Sequence, residues 1–306
     1  MLDLNCGMFS ADKNQNLVRG NMKIKNRLRT AFHEFIMMFK EEKVKPIIVP
    51  IEKEKSLEGK VALITGGSSG IGFSIAKAFI NCGAKVIIAG TNEERLHIAL
   101  ENLEKFSERG GIAGLIIDVR KVNELPEKVK EAAALFKENR IDILVNSAGV
   151  VAKHNFWDID EKEYDVIMDT NAKGTFFMSR AVGALMIEKS IKGHILNVTS
   201  SSALRPAWTP YQMSKWAVRG LTLGLADLFI SHGIVVNAIA PGPTATPMLG
   251  KNEDDNIYEP YTPSHRYAMP EEIASLAVFM VSDAGDMIVG DTFYMTGGSG
   301  TITMHH

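Results

Sequence analysis

The sequence predicts an α/β protein: a doubly wound parallel sheet of about seven strands with helices on both faces, plus an N-terminal helical extension. Three observations lead there. Short β-rich apolar runs alternate with helix-periodic segments from residue 57 onward. Those runs are continuously apolar, as strands buried on both faces are. A glycine-rich turn, TGGSSGIG at 65–72, joins the first run to the first helix. A chain of 306 residues, 45% of them hydrophobic, accommodates one large domain and an extension.

The strands are expected at 60–65, 85–89, 112–117, 141–145, 193–199, 234–239 and 292–296. Helical patterns fill the gaps, including 91–109, 123–139 and one long helix over about 160–189. Crossovers between parallel strands are expected to be right-handed. The α/β domain is placed at 57–306 and an extension at 1–56. Within the extension, 1–20 is polar and expected to be loose, 23–43 is amphipathic, and PIIVP at 46–50 reads as an extended arm. The amphipathic face carries Ile24, Leu28, Phe32, Phe35, Ile36 and Phe39. It packs on its own domain or a neighbouring subunit; Lys23, Lys25, Arg27 and Arg29 beside it leave a membrane surface as the alternative.

Strand, glycine turn and helix in that order build a phosphate-binding corner. Gly66 allows the tight turn, and Gly70 and Gly72 remove side chains where backbone approaches a pyrophosphate and a helix packs on the sheet. The helix N-terminus offers free N–H groups and partial positive charge. A glycine-rich turn holding no ligand is the competing account of the same residues.

Tyr211 and Lys215 stand four residues apart in YQMSK, on one face of an apolar helix. An ammonium beside a phenol favours the phenolate, so the phenol pKa is expected to fall from about 10 towards neutrality. A tyrosine so tuned exchanges protons with an alcohol or ketone. The helix carries Trp216, Val218, Leu221, Leu223, Leu225, Leu228 and Phe229 nearly all round, which predicts burial on every side.

The order TGGSSGIG, NSAG at 146–149, Asn171 in DTNAKG, Ser200 in NVTSSS, YQMSK and PGPTATP at 241–247 resembles that of the classical short-chain dehydrogenases/reductases, over about residues 57–300. The resemblance implies a Rossmann-type fold and an NAD(P)-dependent oxidoreductase that interconverts a secondary alcohol and a ketone of sugar, steroid or keto-ester type. It implies Tyr211 as general acid/base and Lys215 as the group that lowers its pKa and holds the nicotinamide ribose. Ser200 would bond the substrate oxygen, and Asn171 would hold a water linking Lys215 to solvent. Ser200 precedes Tyr211 by eleven residues, two fewer than the family commonly has. A loop shortened at 203–209 accounts for this, and Ser201 or Ser202 remains an alternative.

The same resemblance assigns cofactor contacts to Gly66, Ser68, Ser69, Gly70, Ile71 and Gly72 of the glycine turn, and to Asn146, Ala148 and Gly149 of NSAG. Pro241, Gly242, Thr244 and Thr246 follow from PGPTATP. Asp118 and Val119 match the adenine-contacting pair, or are a strand-end turn. Gly90 stands where NAD-preferring relatives carry Asp, Thr91 where many NADP-preferring relatives carry Arg, and Ser69 where NADP-type loops often carry a basic residue. With no repelling carboxylate, NADP is favoured over NAD. Thr91 and Asn92 are the candidate phosphate contacts, with N-capping the other role open to Thr91. Residues 244–268 would form a lid, and Trp157 and Trp208 are candidates to border the pocket. The helices at 160–189 and from Tyr211 imply a homodimer or homotetramer.

The net charge of −2, with both signs interspersed, argues against a nucleic-acid partner. Two cysteines, Cys6 and Cys82, fit no metal or CxxC pattern and suit a reducing, cytoplasmic setting. No metal site, signal peptide or transmembrane run is expected. The competing functional class is a dinucleotide-sensing or scaffold protein on the same fold.

Overall fold

The structure is a computed structural model and describes residues 55–107, 111–251 and 255–302. The expected amphipathic helix at 23–43 and arm at 46–50 lie outside the described residues.

Seven parallel strands form one sheet: β1 (Val61–Thr65), β2 (Lys85–Gly90), β3 (Ile112–Ile116), β4 (Ile143–Asn146), β5 (His194–Val198), β6 (Val235–Pro241) and β7 (Thr292–Met295). Their spatial order is β3-β2-β1-β4-β5-β6-β7. Among the described residues the α-helices are α1 (Gly70–Asn81), α2 (Glu93–Glu104), α3 (Leu125–Ala134), α4 (Glu161–Met168), α5 (Thr175–Glu188), α6 (Pro210–Phe229) and α7 (Pro270–Val281).

Period-two alternation sends β1 side chains to two cores. Ala62 and Ile64 meet α1, α2 and α7 through Ile75, Phe79, Leu103 and Ile273. Val61 and Leu63 meet α3, α5 and α6 through Val129, Val182 and Leu225. Both faces are thus covered, which is why every β1 residue is apolar or fully bonded. The sheet order reverses between β1 and β4. Thr65 pairs with Asn146 there, and loops leaving the two strands diverge to open a crevice at their carboxyl ends.

Local signals fix the helix starts. Asn92 caps α2 by accepting from the Arg95 N–H at 2.8 Å. Thr209 and Gln212 form a reciprocal capping box around Pro210, which starts α6. The expected helices at 91–109 and 123–139 prove shorter: they run from Glu93 to Glu104 and from Leu125 to Ala134, and turns follow each. The segment expected as one helix over 160–189 is also interrupted. A π-helical turn, Asp169–Gly174, separates α4 from α5 and carries the buried Asn171.

The α6 helix is not buried on every side in a single chain: Leu223 and Leu228 are 60% and 61% exposed. Among the described residues, no helix is long and apolar enough to cross a membrane.

Asp142 ties β4 to β1, accepting from the Val61 N–H at 2.9 Å while paired with Arg140. Next along the sheet, His194 is buried at the start of β5, its Nε2 3.1 Å from a carboxylate oxygen of Asp286. Burial pushes the imidazole pKa down, outweighing the upward pull of Asp286, which is itself more than half exposed and screened by water. The unfolded chain therefore binds a proton more readily than the folded one as pH falls below about 6.5. Stability contributed by neutral His194 is present above that pH and is lost below it, by at most about 1.4 kcal/mol per pH unit. Melting curves of wild type and His194→Gln at neutral and mildly acidic pH check this. The gap between the two proteins should change with pH, and parallel curves would count against it.

Candidate active site

The crevice at the strand ends is a cleft of about 390 Å³. Its floor is the glycine corner between β1 and α1. Gly66 has φ +66°, a region that side chains disfavour, and a Cβ there would lie 2.8 Å from the Ala148 Cα. A Cβ at Gly72 would overlap the Gly66 carbonyl oxygen. The Thr65 hydroxyl oxygen accepts from the N–H groups of Ser147 and Ala148, both at 3.2 Å, and so fixes the β4 loop beside the corner. The α1 cap residue, Ser69, makes no side-chain capping bond, which leaves the first-turn N–H groups facing the cleft. A close-packed backbone cradle at a helix N-terminus fits a dinucleotide diphosphate.

The second wall is built by α6 and the end of β5. The Tyr211 phenol and the Ser200 side chain line the same wall of the cleft, near enough for the serine hydroxyl to pull the phenol pKa down. Ser200 also accepts from the Ser202 N–H at 3.1 Å, which starts a 3₁₀ turn over Ser201–Leu204. The shortened loop thus keeps the serine and tyrosine together. All three serines line the cleft, and Ser200 is the one that pulls on the Tyr211 phenol pKa. Lys215 is 6% exposed, and its Nζ donates to the Val198 carbonyl at 2.9 Å. That nitrogen lies 5.7 Å from the centroid of the Tyr211 ring.

The electrostatics differ from the expectation. The Tyr211 phenol is pushed up by burial, with the Ser200 hydrogen bond pulling the other way, instead of down by Lys215. Burial lowers the Lys215 ammonium to about 8. Desolvation by burial is the leading cause for both groups.

Asn171 is 1% exposed. Its Nδ2 donates to the Val150 carbonyl at 2.9 Å and to Ser214 Oγ at 3.0 Å, and its Oδ1 accepts from the Val150 N–H at 2.8 Å. Both amide hydrogens are used, so the side chain braces the loop after β4 against α6. A water could be held only by a remaining oxygen lone pair, on Oδ1 or on the main-chain carbonyl that the π-helical turn displaces.

Of the other expected contacts, Gly66, Ser68, Ser69, Gly70, Ile71, Gly72, Gly149, Pro241, Gly242, Thr244 and Thr246 line the cleft. Ala148 backs the corner without lining it. Asn146 turns inward. Its Nδ2 donates to Ser179 Oγ and Asn197 Oδ1, both at 2.9 Å, and Asn197 in turn donates to Thr222 Oγ1 at 3.0 Å. Asn92 rather than Thr91 is the α2 cap, and Thr91 is exposed at the end of β2. Asp118 engages Arg120 at 2.7–3.2 Å, and Val119 is buried against α5. Trp157 and Trp208 do not line the cleft; they are 86% and 56% exposed.

The cleft also takes in Ser147, Val151, Thr199, Arg205 and Ser299. Sequence reasoning did not single these out. Arg205 lies within the loop recognised as shortened, and that loop was the signal available. Ser299 comes from the turn after β7, which no spacing rule joins to the site.

A family model described as short chain dehydrogenase matches residues 60–257. Gluconate 5-dehydrogenase of Gluconobacter oxydans is 34% identical over 250 residues, covering 79% of this chain and 95% of that protein. A 3alpha-hydroxysteroid dehydrogenase of Mediterraneibacter gnavus is also 34% identical, covering 79% and 97%. Among solved structures, a gluconate 5-dehydrogenase from Burkholderia cenocepacia in complex with NADP and tartrate has a TM-score of 0.73 at 29% identity, covering 82% of this chain and 99% of that one.

The corner's geometry generates a test. Gly72→Ala forces a methyl against backbone and should destabilise the fold by about 1–3 kcal/mol, lowering Tm by roughly 2–4 °C per kcal/mol. NADPH affinity, read by fluorescence titration, should fall with it. Gly220→Ala in α6, where a Cβ meets nothing within 4 Å, is the control and should hold or raise Tm. Equal behaviour of the two variants would refute the cradle.

Proposed function

The chain belongs to the short-chain dehydrogenase/reductase family, and on that premise we propose how its cleft divides the chemistry among its residues. The protein is an oxidoreductase acting on CH–OH groups of small molecules with NAD(P). The nicotinamide supplies the hydride in reduction and accepts it in oxidation.

In ketone reduction, the carbonyl oxygen gains negative charge as its carbon is reduced. Tyr211 donates its phenolic proton to that oxygen and is left as a phenolate. Ser200 donates a hydrogen bond to the same atom and stabilises the developing charge. The placement of both hydroxyls on one wall of the cleft is the observation that carries this reading, since it brings two donors within reach of one acceptor. Burial keeps the phenol protonated at neutral pH, the form this direction needs. The Lys215 ammonium, one turn along α6, stabilises the phenolate electrostatically and is positioned to bond the ribose. Asn171 holds the loop after β4 and passes protons through a water on one of its oxygens. In oxidation the same atoms act in reverse.

The glycine corner holds the diphosphate, with Ser68, Ser69 and Ile71 at its rim, and Thr244 and Thr246 face it across the cleft. NADP is the favoured cofactor. Gly90 presents no carboxylate to a 2′-phosphate, and a Cβ there would lie 3.4 Å from Ser68 Oγ, so the strand end stays open. Thr91 and the first turn of α2 supply donors at this end. The Gluconobacter and Burkholderia relatives are gluconate 5-dehydrogenases and the Mediterraneibacter relative is a hydroxysteroid enzyme, so sugar-type and steroid-type ketones are both within the substrate class proposed. The catalytic unit is residues 57–306 with 244–268 as its lid. The exposed Trp216, Leu223 and Leu228 on α6, with Phe176 and Ile187 on α5, support a homodimer or homotetramer.

Tyr211→Phe should lower turnover by about 10²–10⁴-fold while NADPH affinity stays near normal. Undiminished turnover would remove Tyr211 from the chemistry. Gly90→Asp should lower kcat/KM with NADPH at least about tenfold, the factor carried by 1.4 kcal/mol of charge repulsion, and should favour NADH. An unchanged cofactor ratio would count against the NADP assignment.

A further inference from the structure

We propose that Arg205 sets the substrate class of the cleft: a hydroxy or keto acid whose carboxylate pairs with the Arg205 guanidinium while its carbinol or carbonyl carbon lies at Tyr211 and Ser200. This rests on the oxidoreductase reading of the same site and narrows it.

Among the described residues, those lining the cleft include two cations, Lys215 and Arg205, and no Asp or Glu. Lys215 is buried and bonded to Val198. Arg205 is exposed to the cleft, and among the described residues only one of its five N–H donors has a partner: Nη2 donates to Ser299 Oγ at 2.6 Å. Among the described residues, Arg120, Arg140 and Arg266 each hold a carboxylate; Arg95, Arg180, Arg205 and Arg219 hold none, and of these four Arg205 is the one that lines the cleft. A guanidinium fork matches a carboxylate in two parallel hydrogen bonds, and an arginine without such a partner on the wall of a cleft is equipped to take one from a ligand.

Its position follows from the backbone. Ser200 opens the 3₁₀ turn and Arg205 closes it, so the arginine belongs to the reacting end of the cleft and not to the glycine corner. The Trp216 Nε1–H donates to the Arg205 carbonyl at 2.9 Å, and Arg219 donates to the Ala203 carbonyl at 3.2 Å. The helix that carries Tyr211 and Lys215 therefore also fixes the root of Arg205. Gly300 completes the arrangement. A Cβ there would lie 3.2 Å from Arg205 Nε, and glycine leaves the guanidinium room. The bland account of the same contacts is a latch: Arg205 merely pins the turn after β7 through Ser299.

The experiment uses the full chain with NADPH and a series of straight-chain 3-, 4- and 5-keto acids, each beside its methyl ester. The wild type should favour one acid over its ester by at least about tenfold in kcat/KM, as a charge-assisted hydrogen-bonded pair provides. Arg205→Met keeps the apolar stem and removes the charge. It should abolish that preference through KM, leave the ester within about threefold and leave Tm unchanged, and Arg205→Lys should restore part of the preference. Equal losses for acid and ester in Arg205→Met would make the residue a latch and overturn the proposal. Turnover of esters with no preference for acids would overturn it alone. No turnover of any member, with NADPH bound, would overturn the oxidoreductase reading together with it.

Discussion

The buried ammonium of Lys215 is the constraint around which the cleft is assembled. A charge removed from water is tolerated only where hydrogen-bond acceptors replace solvent, and no carboxylate pairs with this one among the described residues. The Val198 carbonyl at the end of β5 takes that role at 2.9 Å, and the Thr199 hydroxyl returns the contact by donating to the Lys215 carbonyl at 2.8 Å. Helix α6 is thereby held to the sheet at the level where the strands end. Tyr211, one turn earlier, inherits its height above the sheet from that bond, and so does the serine at the strand's end. Burial lowers the ammonium to about 8, close enough to neutrality for small changes around it to alter its charge. A group in that condition is sensitive to what enters the cleft beside it.

A buried polar network supports the same level of the fold from below. Asn146, Ser179, Asn197 and Thr222 satisfy one another between β4, β5, α5 and α6. Each belongs to a different element, so the network registers two strands against two helices. Fully satisfied networks of this sort specify one arrangement of a core, whereas removing one member leaves others unpaired. Asn171 performs the same service one layer higher, between the loop after β4 and Ser214 of α6.

Much of the fold was legible because its signals are local. Continuous apolar runs between helical periods marked all seven strands within a residue or two, and the glycine turn marked where the first helix begins. That Tyr211, Ser200 and Lys215 share one cleft was legible through spacing and order. The inward turn of the Asn146 side chain was not legible, because it depends on Asn197, 51 residues away. Arg205 and Ser299 were missed for the same reason, being joined across 94 residues. The phenol's electrostatics were misjudged because spacing shows that an ammonium is near but not that both groups are desolvated. Exposure along α6 was also unreadable, since an apolar helix surface looks identical whether its own chain covers it or not.

The π-helical turn at Asp169–Gly174 illustrates the difference between a pattern and its phase. An α-helix advances about 100° per residue, so one surplus residue in a turn rotates everything beyond it by that angle. Hydrophobic positions before and after the turn therefore obey the same period yet address different neighbours. Val182 and Leu185 meet the sheet, while Tyr164 is turned partly to solvent. Deleting one residue from this stretch would yield a smoother and locally more regular helix. It would also swing α4, and the loop it anchors over the crevice, away from its present bearing. In this segment the length of the chain, counted residue by residue, acts as a structural determinant as specific as any side chain.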